Sequence, residues 1–590
     1  YEIMPSLVGS EMCIRDRLLG LLIIMSVAGI PVEVFNHPKT FAVFGMAGIS
    51  LIISFLCFIA PQKDIKFSRL NIFCFLFLLL YVIDFLHLNT IWNIGYLCLL
   101  SLFIASHLLQ QIHYIIIFKS LLGAAVLLTI WGYLQYFEYI PSNSEYFLIT
   151  GPFHNPAVFA IMLSLLLSIA LNSIILFYRS LMNHKFFLVF IITVVLFCIP
   201  LLILTYARAA YLALLASVLY CLYLKLRNNG KGRKIKLYYS AGVLLVILIS
   251  IGMLYKLKPQ SANGRFLVWK ISCRMIHDKP LTGFGKGGFA ANYLYYQADY
   301  MKSFASPEER RLAGSTHLAF NEPLRITVEY GLIGLIIYSS FIIWILFLST
   351  NRTTVCVLLK AFLAGIVVWG MFGYPDQVFS IQALWIIAIA CYLNKNSGTT
   401  YEFSGTNRLL SKIVIIVICG TNCFLGMKLW NKRTSYHELY TCLDSQNFQS
   451  ISQDSNIFVR LQEEMIDDIN FAYLYWQLTK MRHQEIEFLR ISDYLEKSFP
   501  TPGLLLMKGD YLKKKSCWKE AEEAYKLASD MMPSLQLPRG KLAFLYNETG
   551  RKEEAVAIAH EILTEDVKVY SFSTFDLHRD LRRIFEDELK

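Results

Sequence analysis

Runs of about 18 or more apolar residues recur along the first 430 positions, each long enough to cross the hydrocarbon core of a bilayer. Lipid offers no hydrogen-bond partners, so such a segment must close its backbone bonds within itself, and it does so as a helix. This restricts the chain to an all-α, polytopic membrane helix bundle. About thirteen spans are expected, near 18–35, 41–61, 70–88, 91–109, 115–137, 156–178, 186–207, 209–226, 237–255, 325–349, 355–374, 377–394 and 409–430. Only 17% of the 590 residues are charged, against about a quarter in a soluble chain.

The basic residues orient the bundle. The densest basic loop, "RNNGKGRKIK" at 227–236, belongs on the cytoplasmic side. Span parity then puts Lys63, Lys66, Arg69, Arg179 and Lys185 inside as well, with the N-terminus. It puts the acidic loop 138–155, the large loop 256–324 and everything after Trp430 outside. The net charge of +12 is explained by these loops and implies no nucleic acid. Membrane lipids are the immediate surroundings. The thirteen cysteines form no CxxC pair, and most sit inside apolar runs, where Cys behaves as a small hydrophobe. No metal site follows from them.

Both ends of the chain differ from this bundle. "SEMCIRDR", Ser10–Arg17, resembles the translation of a sequencing adapter, so residues 1–17 are set aside and the native N-terminus is expected to be missing. From Asn431 the composition turns polar with helical periodicity. Gly509 and Ala543, Leu512 and Tyr546, Ala521 and Ala555, and Ala528 and Ile562 are each 34 residues apart. A 34-residue period with small residues at helix crossings resembles the tetratricopeptide repeat, with 470–500 as a degenerate preceding unit. The division expected is a membrane domain over 18–430 and a helical repeat domain over 431–590, which offers a surface for a protein partner. An ordinary pair of helical hairpins has the same signature.

Four polar clusters fall on the outside. "ITGPFHNPAVFAIML", 149–163, turns into a span at Pro156, where His154 and Asn155 line a cavity or cap the helix. Arg208 sits at a tight turn between two spans. Its planar fork suits phosphate oxygens, although an interfacial anchor also places Arg there. "NGRFLVWKISCRMIHDKPLTGFGKGGF", 263–289, carries Arg265, Trp269 and Arg274, which the spacing of four and five puts on one helical face. Its "GFGKGG" is neither a Walker A loop nor a dinucleotide fingerprint. "STHLAFNEPLRITVEYGLIGL", 315–335, brings His317, Asn321, Glu322, Arg325 and Glu329 to the start of a span. Ionisable groups at a bilayer boundary usually serve function. His317 is the natural proton acceptor near neutral pH, with Glu322 the alternative.

In order and sidedness these clusters resemble the O-antigen ligase superfamily, which includes O-antigen polymerases and protein O-oligosaccharyltransferases. The motifs are G-x-F-x-N-P (Gly151, Phe153, Asn155, Pro156), Arg208 between spans, G-R-x-x-x-W (Gly264, Arg265, Trp269), D-x-P-x-x-G-x-G (Asp278, Pro280, Gly283, Gly285) and N-E-x-x-x-x-x-x-E-x-G-x-x-G (Asn321, Glu322, Glu329, Gly331, Gly334). The resemblance covers roughly 140–390. It implies a GT-C-like, metal-independent glycosyltransferase of the bacterial inner membrane that needs no cofactor. The implied donor is a glycan on undecaprenyl diphosphate; the acceptor is a glycan, lipid A–core or protein hydroxyl on the periplasmic side. Arg208 and Arg265, and less directly Arg274, are then expected to hold the diphosphate. Asn155, Trp269 and Asn321 support them, and His317 or Glu322 takes the acceptor proton. One departure stands out: members commonly carry His immediately before the Asn of the last motif, and here that residue is Phe320.

Two other classes fit the sequence less well. A lipid-glycan transporter needs ionisable residues deep in its spans, where this chain offers mainly Asp84 and Lys119. A membrane-tethered scaffold leaves the ordered outside arginines unexplained.

Overall fold

A computed structural model describes residues 66–68, 114–228, 259–348, 353–396, 400–402 and 469–586, apart from a few isolated positions within these ranges. The expected spans at 18–35, 41–61, 70–88, 91–109, 237–255 and 409–430 lie outside the described residues, as does Asp84. What is described is helical, except for a three-residue antiparallel pairing of β1 (Lys66–Ser68) with β2 (Thr400–Glu402). The chain divides into two compact units, 1–254 with 342–468, and 255–341 with 469–590.

Five described helices are long and apolar enough to cross a membrane. Four lie in the first unit: α1 (Tyr114–Tyr136), α2 (Pro156–Met182), α3 (Lys185–Leu204) and α4 (Arg208–Asn228). The fifth runs over Glu322–Leu348 and begins with α8 (Glu322–Ile343). The described part of the first unit also holds the shorter α9 (Thr354–Gly370) and α10 (Phe379–Asn396). Helix α2 is buried from Val158 to Ser173, apart from Leu171. Ser164 Oγ donates to Ala210 O at 2.7 Å, and Asn172 Nδ2 donates to Ser217 Oγ at 3.0 Å. These rungs set α2 and α4 parallel, as two spans separated by one must be. In the opposite sense, Gly365 of α9 lies against Ala213 and Ser217, while Val357 packs with Cys221. Small residues let these backbones approach where lipid offers no hydrophobic drive. Lys119 lies at an exposed position of α1 with its ammonium 5.8 Å from the Phe187 ring centre, the geometry of a snorkelling anchor.

The second unit joins two parts of the sequence. The large loop supplies α5 (Pro259–Asp278), α6 (Gly288–Ser303) and α7 (Pro307–Leu312). The tail supplies α11 (Ile469–Met481), α12 (Glu485–Ser498), α13 (Pro502–Lys514), α14 (Trp518–Met531), α15 (Gln536–Glu548), α16 (Lys552–Thr564) and α17 (Phe572–Ile584). Ile271, Met275, Phe289, Tyr293 and Leu294 of the loop share one core with Tyr525, Ala528, Met531 and Leu545 of the tail. The sequence boundary at 430/431 had assigned the loop to the membrane domain; its described helices instead pack with the tail. Loop and tail therefore form one compact unit. Gly509, Ala521, Ala528, Ala543, Tyr546, Ala555 and Ile562 of the 34-residue pairs are buried, and Leu512 is half-buried against the same core.

Helix α8 (Glu322–Ile343, continued by a π-helical turn to Leu348) breaks at Gly331, with φ 65° and ψ −166°. Before the break Glu322, Val328 and Glu329 are buried; after it Leu332, Ile333, Ile336 and Ile337 are exposed apolar side chains. The stretch facing lipid thus begins at the break. From Leu332 to Leu348 it rises about 26 Å at 1.5 Å per residue, close to the ~30 Å of a bilayer core. The polar first turns of α8 pack within the second unit.

Candidate functional site

In the first unit, the 150–156 turn is tied by buried Gln135. Its Oε1 accepts from the backbone N–H groups of Thr150 at 3.1 Å and Gly151 at 2.7 Å, and its Nε2 donates to Gly151 O at 3.1 Å. The turn delivers Asn155 as the N-cap of α2. Asn155 Oδ1 accepts from Ala157 N, and Asn155 Nδ2 donates to Tyr374 Oη, both at 2.8 Å. Capping satisfies a backbone donor that the helix leaves open. Arg208 opens α4 after a turn in which Tyr206 adopts φ 52°. The hydroxyl of Tyr211 closes that turn by donating to Ile203 O at 2.9 Å. Because α2 and α4 run parallel, Asn155, Tyr374 and the half-buried Arg208 come to the same end of this unit.

In the second unit the last motif is held by α5. Trp269 Nε1 donates to Ala319 O at 3.0 Å, and the Arg265 guanidinium lies 5.3 Å from the centre of the Phe320 ring. Phe320 itself has φ 50°, a left-handed conformation that non-glycine residues adopt only when their surroundings impose it. The next residue, Asn321, caps α8 through Oδ1, which accepts from Leu324 N at 3.0 Å. G-R-x-x-x-W and N-E are therefore one assembly, and Phe320, standing where His was expected, is the cushion for Arg265.

The loop 279–287 lies against the break in α8. Phe284 N donates to Val328 O at 2.9 Å, Gly285 N to Glu329 O at 2.8 Å, and Leu332 N to Pro280 O at 2.8 Å. A Cβ on Gly331 would fall 2.0 Å from Leu281 O, and one on Gly283 would fall 2.5 Å from the Glu329 backbone. Glycine at both places is a condition of this close contact. Gly283 of D-x-P-x-x-G-x-G thus faces the backbone of Val328–Glu329, and Gly331 of the last motif faces the backbone of Leu281–Thr282.

Arg325 lies between two buried carboxylates. Its Nη2 donates to Glu322 Oε1 at 2.6 Å and its Nη1 to Glu329 Oε2; Glu329 Oε1 accepts from Gly287 N at 3.1 Å. His317 stacks on Phe499 with ring centres 3.5 Å apart, and its Nε2 lies 2.9 Å from Pro500 O. Burial pushes the imidazole below its ordinary pKa, although the bond to Pro500 O opposes this. Arg274 is not on the face of Arg265. Nine residues at about 100° each amount to about half a turn, and the side chain lies 4.1 Å from the Phe304 ring centre and 3.7 Å from Asp299 Oδ2. The shared face expected for Arg265, Trp269 and Arg274 is thus corrected: Arg265 and Trp269 turn to the last motif, Arg274 to α6.

Residues 192–339 match the family model described as O-antigen ligase. The chain carries a domain of the O-antigen ligase superfamily. A comparison with curated proteins found no match. The O-antigen ligase segment takes in Arg208, Arg265, Trp269, the glycine loop and the last motif; Asn155 and the tail helices lie outside it. The family is one of membrane glycosyltransferases, and the apolar helices of this chain agree with it. Gln135, Tyr374, Phe499 and Pro500 were not found by sequence reasoning. The polar "GYPDQ" interruption between two apolar runs was a signal for Tyr374, but nothing local marks the other three.

Proposed function

We propose that the protein transfers a glycan from undecaprenyl diphosphate to an acceptor hydroxyl on the periplasmic side of the bacterial inner membrane, as an O-antigen ligase does in lipopolysaccharide assembly. The observation that carries this reading is the joining of the family motifs, with Arg265 and Trp269 gripping Ala319–Phe320 beside the Asn321 cap. In the reaction the acceptor oxygen bonds to the anomeric carbon. The bond from that carbon to the diphosphate breaks, and its electron pair leaves with undecaprenyl diphosphate. Arg265 of the second unit supplies positive charge to the departing diphosphate, and Arg208 is the first unit's candidate for the same role; preorganised charge favours a leaving group in this way. The polyprenyl chain lies along apolar helix faces, which keeps the chemistry at the membrane surface.

His317 is the favoured proton acceptor. Glu322 is already committed to Arg325, whereas His317 is held neutral by burial, the state a base requires. The tail is read as a tetratricopeptide-type domain. Purified protein with a lipid-linked donor tests the function, scored against lipid A–core, glycan and protein acceptors. Transfer to lipid A–core is expected. Transfer only to glycan or only to protein would make the protein a polymerase or a protein glycosyltransferase, and no transfer to any acceptor would refute the reading.

A further inference from the structure

The segment 313–320 has no regular secondary structure, and two different parts of the chain hold its two halves. Helix α5 holds Ala319 and Phe320. The tail holds the other half: Ser534 Oγ donates to Ala313 O at 3.3 Å, Gln297 Nε2 bridges Gly314 O at 3.1 Å and Met531 O at 2.5 Å, and Phe499–Pro500 receive His317. The receiving turn is itself braced. Phe499 N donates to Leu495 O at 2.7 Å, and the Tyr473 hydroxyl donates to Phe499 O at 3.3 Å and lies 2.8 Å from Thr501 Oγ1.

A carbonyl oxygen only accepts, so His317 Nε2 carries a hydrogen. In the neutral ring the lone pair is then on Nδ1. A partner on one ring nitrogen sets the role of the other, the same logic by which a carboxylate orients a catalytic histidine. We propose that the Phe499–Thr501 turn of the tail is a positioning element of the transfer site, fixing the His317 ring so that Nδ1 accepts the acceptor-hydroxyl proton. This rests on the function proposed above and deepens it: the tail completes the site as well as offering a surface for partners. During transfer the proton passes from the hydroxyl to Nδ1, while Nε2–H stays with Pro500 O.

The stack on Phe499 keeps water from the imidazole and so disfavours its charged form. The titratable groups on the packed elements include Tyr473, whose phenol pKa burial raises, Lys508 paired with Asp493 and Glu496, and Glu322 paired with Arg325; the rest of α12 and α13 carry Asp, Glu, Tyr, Lys and Arg. None of these is a histidine, so His317 is the group expected to titrate between about pH 5 and 8.

The test is the pH profile of kcat/KM for the full-length protein with a lipid-linked donor. Phe499→Ala opens the ring to water, raises the His317 pKa, and is expected to move the acid limb to higher pH with recovery on the alkaline side. Phe499→Tyr preserves the stack and the wild-type limb. His317→Gln retains a donor to Pro500 O but no base, so it is expected to insert and fold yet to lose transfer by about 10²-fold or more, the scale of a lost general base. An unshifted acid limb in Phe499→Ala, or transfer retained by His317→Gln, would overturn the inference while leaving the proposed function standing. Wild-type protein without transfer would sink both.

Discussion

Gly331→Ala tests the junction on which the motif assembly depends. At φ 65° and ψ −166° the residue occupies a region essentially reserved for glycine, and forcing another residue there costs about 1–3 kcal/mol. The new methyl would also meet Leu281 O at 2.0 Å, and overpacking of this kind costs about 1–3 kcal/mol more. The sum, about 2–6 kcal/mol, falls on the backbone hydrogen bonds that hold 279–287 to α8. At 1.4 kcal/mol per tenfold, even the lower figure raises the population with this loop detached about 30-fold. Hydrogen exchange followed by mass spectrometry on the solubilised protein reads this directly. Peptides covering 280–287 and 328–333 are expected to exchange at least ten times faster, with transfer reduced in parallel. Gly287→Ala is the control: φ is 74°, but nothing lies within 4 Å of the added Cβ. It bears only the left-handed backbone cost of about 1–2 kcal/mol. Unchanged exchange in Gly331→Ala, or an equal effect in Gly287→Ala, would refute the reasoning that the glycine break seats the loop.

Arg208→Ala and Arg265→Ala are each expected to cut transfer by about 10²-fold or more, as for a lost transition-state charge partner; near-normal rates in both would remove them from the site. Arg325→Ala strands two buried carboxylates and is expected to destabilise the second unit by about 3–5 kcal/mol, seen as a lower Tm, with Arg325→Lys restoring only part because it lacks the planar fork. Burial depresses the pKa of both His317 and His578. The unfolded chain then binds more protons than the folded one just below the unperturbed value of about 6.5. The stability these histidines allow is present above that pH and is lost as pH falls through the window below it. A Tm that drops between pH 7.5 and 5.5, and drops less in a His317→Gln/His578→Gln variant, is expected.

The amino-acid sequence by itself determined the elements. Seven of the thirteen expected spans fall on described helices, because a long apolar run in lipid has no alternative to a helix and reads locally. The ends moved where local reading had no purchase: the span drawn from 325 begins facing lipid only at Leu332, because Gly331 bends the chain against a loop 50 residues away. The order of the motifs and the 34-residue period were likewise legible, since both are properties of spacing. Tertiary structure alone decided which side chains meet. Arg265 and Arg274 look equivalent along the sequence, yet half a helical turn sends one to Phe320 and the other to Phe304. The partner of His317 is a carbonyl 183 residues further on, in a turn with no motif to mark it. A backbone carbonyl has no residue identity to read, and a stacking ring has no fixed spacing from what it covers. Only the packing of the tail helices onto the loop brings Phe499 and Pro500 to that histidine.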